Sequence, residues 1–285
     1  MDAETRQQAI RLYDRFTHEG MERRSFMAEM VKLAGSAAAA ELLISGIAAS
    51  PVAAAQVADN DPRLTTRTQT IAGYKVYVAE PRTRSLKATV LVIHENRGLN
   101  DHIRDVARRL AVAGFRAAAP DMLTPSGGTP ANEDAARSAI EKLDLGKSVA
   151  DAVVILTDLK GSSRGDKVGA VGFCWGGGFV NRLVIAAGGK LSAAVIYYGP
   201  APAASEASKV QAPVEFHNAG LDDRVNATSF PWVEALRKAG KTVKFFLYEG
   251  VNHAFNNDTS AERYSKPAAD LAWKRTLAFF HQHLG

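Results

Sequence analysis

From residue 65 onward, apolar strand-like runs alternate with stretches of helical spacing, and this alternation restricts the fold more than any other feature. "YKVYVAE" (74–80) alternates by twos, as a half-buried strand does. "ATVLVIH" (88–94) is continuously apolar and bounded by polar residues, the pattern of a strand buried on both faces. "DHIRDVARRLAVAG" (101–114) has helical spacing and stops at Gly114. Further strands are expected at "FRAAAP" (115–120), "KVGAVGF" (167–173), "SAAVIYYG" (192–199), "APVEFHNAG" (212–220) and "KTVKFFLYEG" (241–250). Helical patterns cover about 132–143, 147–160, 174–187, 228–239 and 261–283. Strand–helix alternation of this length implies an α/β fold: a mostly parallel sheet with helices on both faces. In such sheets the chemistry sits at the carboxyl ends of the strands, which singles out the positions just after 94, 120, 173, 199, 220 and 250.

One of those strand ends carries "GFCWGGG" (172–178), with the only cysteine of the chain at Cys174. Gly172-x-Cys174-x-Gly176 has the form of a nucleophile elbow with Cys in place of Ser. A side chain held on so sharp a strand-to-helix turn leaves no room for bulk two residues before or after it. The turn also puts the sulfur at the first turn of a helix, where the dipole favours thiolate. The next N–H, that of Trp175, can point at a developing oxyanion. The bland alternative is a small buried thiol.

Two more strand ends hold partners for such a nucleophile. His253, in "GVNHAF", is a candidate general base. Asp222, in "GLDDRVN", is a candidate to orient it, with neighbouring Asp223 as a competitor that could instead pair with Arg224. The order nucleophile, acid, histidine is that of α/β-hydrolases. Glu95, in "HENRGLNDH" (94–102), follows the strand whose loop supplies the second oxyanion donor in this architecture, and would lie beside the sulfur. Otherwise it is a surface carboxylate paired with Arg97 or Arg104. His94 and His217 read as packed or hydrogen-bonded residues of strands.

The bulk properties narrow the function classes. The chain has 285 residues, 46% hydrophobic and 23% charged, an ordinary globular composition. The net charge of +5 is scattered without basic runs, so no nucleic-acid partner is expected. A single cysteine excludes an internal disulfide. No His/Cys/Asp/Glu cluster has metal-ligand spacing, and no phosphate-binding glycine motif follows a strand; neither metal nor cofactor is expected.

The first 62 residues form an extension to a domain spanning 63–285. Arg23, Arg24 and Phe26 precede an Ala/Leu/Ile-rich stretch (30–49) and the small residues "VAAAQVA". The arrangement resembles a twin-arginine export signal, which carries folded proteins across a bacterial inner membrane. Periplasmic or exported location follows on that reading; cytoplasmic location follows if the segment is a pair of amphipathic helices docked on the domain. Glu29, Lys32 and Glu41 make the apolar stretch too charged and too short for a stable membrane span. Oligomeric state is not legible.

"HENRGLNDHIRDVARRLAVAGFRAAAPDM", "KVGAVGFCWGGGF", "AGLDDRVN" and "GVNHAFNN" together resemble the dienelactone hydrolase family of α/β-hydrolases, over roughly residues 68–284. The extension resembles that of a subgroup with twin-arginine leaders. The resemblance implies Cys174 as nucleophile, Asp222 and His253 completing the triad, Glu95 contacting the resting thiol, and the N–H groups of Asn96 and Trp175 as oxyanion hole. It implies a cofactor-free hydrolase opening a carboxylate-bearing enol-lactone through an acyl-enzyme, the activity called carboxymethylenebutenolidase. One departure stands out. An arginine that grips the substrate carboxylate in the family is Asn257 here, and Arg137 lies near the region of a second one without a secure alignment. Competing readings are a non-catalytic member of the fold binding a small molecule or partner, and a thioesterase or acyl transferase using the same triad.

Overall fold

A computed structural model of the protein describes residues 2–48, 55–82, 88–162 and 167–285. Eight strands form one sheet among these residues: β1 (Leu64–Ile71), β2 (Tyr74–Pro81), β3 (Thr89–Ile93), β4 (Arg116–Pro120), β5 (Val168–Phe173), β6 (Ala193–Tyr197), β7 (Val214–Ala219) and β8 (Val243–Tyr248). Their spatial order is β1-β2-β4-β3-β5-β6-β7-β8. β2 pairs antiparallel with both β1 and β4, and every pairing from β4 to β8 is parallel. The expected α/β-hydrolase-type architecture is thus observed.

Helices cover both faces because the central strands are apolar on both. Val90 and Val92 of β3 pack under α4 (Asp101–Val112) and α9 (Lys266–Leu284), with Ile103, Leu110 and Phe280. Leu91 and Ile93 point the other way, toward α6 (Leu145–Ser162), α7 (Trp175–Ala187) and α8 (Asp223–Lys238), with Leu156, Phe179 and Trp232. A shorter helix, α5 (Glu133–Glu141), precedes α6.

Three details depart from the expected pattern. β1, "LTTRTQTI", is threonine-rich and half exposed, so hydropathy conceals it. It is joined to β2 by the two-residue turn Ala72-Gly73, whose φ values of 48° and 82° suit a tight hairpin. α8 begins at Asp223, five residues early, because the Asp222 carboxylate accepts from the Val225 N–H and caps it. α9 begins late, at Lys266 with proline in its first turn; residues 251–264 are loop and carry His253.

The extension consists of three helices, α1 (Ala3–His18), α2 (Arg23–Ala34) and α3 (Ala37–Ile47). They share a small core containing Ile10, Phe16, Phe26, Met30 and Leu43, with Phe16 stacked on Phe26 at 4.2 Å. Among the described residues no single helix is long and apolar enough to cross a membrane; α2 and α3 are bent by 106° at their junction. The trio docks on the carboxyl-end loops of the sheet. Ser260 donates to the Ile47 carbonyl (2.6 Å), Gln7 to Asn252 (2.6 Å), and Arg137 to the Phe16 carbonyl (2.9 Å) while lying 4.1 Å over the Phe16 ring. Further along, Val57 is held to α4 by Asp105 and Arg108.

Candidate active site

Cys174 ends β5 and caps α7 with φ 56° and ψ −117°, a backbone conformation that only a tightly surrounded elbow sustains. The glycines on either side are steric requirements. A Cβ on Gly172 would lie 2.1 Å from the Gly176 carbonyl oxygen, and one on Gly176 would lie 2.4 Å from the carbonyl oxygens of Ile93 and His94. The elbow reading of "GFCWGGG" therefore matches the backbone. Cys174 as a whole residue is 5% exposed.

His253 stands in the loop after β8, with Nδ1 2.5 Å from Asp222 Oδ2. Burial opposes charge on its ring, but the Asp222 carboxylate and the Cys174 sulfur outweigh it and raise its pKa to about 10. Burial works against the Asp222 carboxylate too, yet the charge and hydrogen bond of His253 hold it below its ordinary value. Asp222 is buried, whereas Asp223 is exposed in the first turn of α8, so geometry selects the former. Cys174 Sγ, a ring nitrogen of His253 and a ring nitrogen of His18 all lie within 4.8 Å of one another. Sequence spacing concealed this set, because its members come from the first helix, the elbow and a distant loop. A thiol with two imidazoles can hold a zinc-like ion; here that would occupy the candidate nucleophile.

Glu95 is buried beside the elbow, and its partner is neither Arg97 nor Arg104. Asn257 Nδ2 donates to its Oε2 at 2.7 Å, and the Asn257 oxygen is itself held by Thr259. Asn257 thus anchors Glu95. His94 and His217 are structural. Met122 N–H donates to His94 Nε2, and His217 contacts Glu215, Tyr248 and Thr276. Asn96 lies in the loop after β3 and, with Thr17, His18 and Cys174, lines two adjoining cavities. One, of about 20 Å³, also touches Glu95, Arg97, His253 and Arg263. The other, of about 420 Å³, opens over Trp175, Arg137, Leu143 and Arg224.

The site thus combines a strained cysteine elbow, a buried acid–histidine pair and a glutamate, delivered by the ends of β3, β5, β7 and β8 of one sheet. A family profile described as "Dienelactone hydrolase family" matches residues 74–284. The chain belongs to the dienelactone hydrolase family. It is a carboxylic ester hydrolase of that family, with the expected α/β-hydrolase fold. A Methylorubrum extorquens protein assigned as a carboxymethylenebutenolidase is 32% identical over 223 residues, covering 73% of this chain and 76% of that one. A Saccharolobus solfataricus protein of the same assignment is 30% identical over 246 residues, covering 73% and 93%. A Klebsiella pneumoniae crystal structure assigned as a dienelactone hydrolase superposes with a TM-score of 0.69 at 26% identity, over 77% of this chain and 99% of that one. The family range begins at residue 74, so α1–α3 lie outside it.

Sequence reasoning missed several residues at this centre. Helix α1 contributes Tyr13, Asp14, Thr17 and His18, which meet Arg97, Arg263, Asn96 and Cys174 respectively. Tyr13 and Asp14 each lie one turn before Thr17, so the three share one side of the helix, a spacing readable in the sequence but without a visible counterpart there. Tyr198, after β6, has φ 38° and packs its ring 5.0 Å from that of His253. Burial drives its hydroxyl well above the usual phenol range.

Proposed function

We propose that the protein opens lactones or cleaves activated enol or aryl esters through an acyl-enzyme on Cys174. The observation that supports this is the hydrogen-bonded Asp222–His253 pair beside the elbow sulfur. The thiolate, paired with the His253 imidazolium, adds to the carbonyl carbon. The resulting oxyanion is held by the N–H groups of Asn96 and Trp175, each contributing roughly 3 kcal/mol in comparable sites. The intermediate collapses with loss of the enol or phenol oxygen, which takes its proton from His253. Water then cleaves the thioester and releases the acid. A mild thiolate suits a leaving group that departs readily, so simple alkyl esters are poor substrates.

The 420 Å³ cavity opens onto Cys174 and offers room for a substrate, and the relatives' assignment points to a butenolide bearing a carboxymethylene group. Asn257 is a neutral amide committed to Glu95, so a cation from elsewhere in the site would have to meet such a carboxylate. Arg224 lines this cavity and has no ion pair among the described residues, which suits it to that role. In the deciding assay Cys174→Ala is compared with wild type on a panel of lactones, aryl esters and enol esters. Wild-type turnover with none in the variant is expected; equal hydrolysis by both sinks the reading.

A second reading concerns the extension. Arg24 is exposed and Arg23 is 68% exposed in its side chain despite pairing with Asp134, so the arginine pair is accessible on the folded protein, whereas Phe26 of the same pattern is buried in the three-helix core. On this reading the arginine pair would direct export in the folded state by a twin-arginine-like route.

A further inference from the structure

Helix α1 ends at the elbow sulfur. Its last residue, His18, sets Nε2 3.9 Å from Cys174 Sγ, and its ring meets that of His253 edge-on with centroids 4.8 Å apart. One donor atom from each of His18, Cys174 and His253 lies within 4.8 Å of the other two. Three contacts hold the helix there. Arg97 donates to the Tyr13 hydroxyl at 2.6 Å, Arg263 pairs with Asp14 at 3.3 Å, and Asn96 donates to the Thr17 carbonyl at 3.4 Å.

Two buried atoms at this point, Glu95 Oε1 and His253 Nε2, have no nitrogen or oxygen partner among the described residues. Both residues line the cavity of about 20 Å³, together with Cys174 and His18. A space of that size admits one small ion or one water. Each of the two is held by its other polar atom. His253 Nδ1 donates to Asp222 at 2.5 Å, and Glu95 Oε2 accepts from Asn257 at 2.7 Å. A carboxylate on the far nitrogen is the outer support that metal-binding imidazoles have, because it fixes the tautomer and leaves Nε2 its lone pair. We propose that His18, Cys174 and His253 form a binding site for a zinc-type ion, with the Glu95 carboxylate on the same cavity supplying the second balancing charge, and that the bound ion holds the enzyme inactive.

The donor set selects the ion. Thiolate and imidazole suit zinc and similar borderline-soft metals, whereas magnesium and calcium take oxygen shells. Bonds of about 2.3 Å to sulfur and about 2.0–2.1 Å to nitrogen put tetrahedral ligands about 3.3–3.6 Å apart. His18 Nε2 and Cys174 Sγ, at 3.9 Å, are close to that span. Arg97 and Arg263 also line the cavity, but Glu133 meets the first at 3.0 Å and Asp14 the second at 3.3 Å. On binding, the ion takes the Cys174 thiolate and two neutral imidazoles, and the proton of the His253 imidazolium leaves to solvent. The sulfur lone pair that attacks a carbonyl is then committed to the metal, and His253 has no proton for a leaving group. Chelation restores both. The ion also ties α1 to the domain across the elbow. Helix α1 lies outside the family range, so the His18 ligand is not supplied by the family's domain.

Inactivation rests on the Cys174 acyl-enzyme, whereas binding does not, so the two fail separately. The full chain, stripped with a chelator, is titrated with Co²⁺, whose bond to a thiolate gives a charge-transfer absorption. Zn²⁺ is then added in competition, and hydrolysis of an aryl acetate is followed in parallel. The absorption should saturate at one ion per chain, disappear as zinc displaces cobalt, and be absent in Cys174→Ser. Turnover should be lost with zinc and recovered with chelator. His18→Ala and His18→Gln should each weaken zinc binding by at least about tenfold, since even the groups behind metal ligands are worth roughly 10–100-fold. Two variants guard against misfolding in either, and retained melting temperature identifies those to be scored. No thiolate–cobalt absorption in wild type overturns the site, and so does wild-type zinc affinity in the His18 variants. Zinc bound through the thiolate with hydrolysis unchanged overturns the inactivation and removes Cys174 as the nucleophile.

Discussion

Cys174 owes its place to neighbours that lack side chains, and its chemistry to neighbours that carry charge. Gly172 and Gly176 admit the turn, while Asp222 keeps a proton on His253 up to about pH 10. Removing the carboxylate's negative charge in Asp222→Asn lowers the His253 pKa. The alkaline limb of kcat/KM on an activated ester should therefore move from near pH 10 to lower pH, as read from a pH–rate profile; an unmoved limb would dissociate Asp222 from His253. Arg224 acts at the same scale on a different step. In Arg224→Ala, KM for a carboxylate-bearing lactone should rise by about tenfold, a hydrogen bond to a charged group being worth roughly 1.5–3 kcal/mol, while a neutral aryl ester is unaffected. Equal changes for both substrates would show that Arg224 does not read the carboxylate.

Each functional element does two tasks at once. Asp222 both caps α8 and orients His253, so the start of the helix and the geometry of the base are set by one carboxylate. Asn257, at a position where the sequence resemblance leads one to expect an arginine, immobilises Glu95 while shaping the loop that carries His253. The greatest consequence belongs to α1, which is both part of a leader-like segment and a wall of the active site. Its apolar residues build the small three-helix core, and its polar face meets buried partners on the hydrolase domain. His18 stands beside the thiol only while α1 is retained. The buried contacts of Tyr13 and Asp14 with the domain predict that protein isolated from its native host keeps α1 and begins before Ala3, as read by N-terminal sequencing. A mature terminus near residues 55–58 would instead mark processing after export, with α1 and His18 absent from the mature site.

At the scale of the whole molecule, the parallel half of the sheet gathers catalytic groups separated by up to 158 positions. β3, β5, β7 and β8 end on the same side, and their loops deliver Glu95, Cys174, Asp222 and His253 to one point. The larger cavity lies over α7 and α8 on that side, bounded by α5 and the end of α1. The antiparallel β1–β2–β4 edge contributes no residue to either cavity.

Local chemistry was sufficient for much of this. Apolar runs of strand length, bounded by charge and glycine, determined the parallel strands, because a strand buried on both faces must be apolar throughout. The elbow was legible because its glycines answer to a steric demand within five residues, and triad order followed from the rule that strand ends face one side. What resisted was whatever depends on a distant partner. β1 is polar because one edge of the sheet meets solvent. Asn257 shows its purpose only opposite Glu95. His18, 156 positions from Cys174, lies in a helix whose composition matches an export signal equally well. Docking three amphipathic helices onto the strand-end loops turned that residue into part of the site, because only tertiary packing decides which polar face is buried and against what.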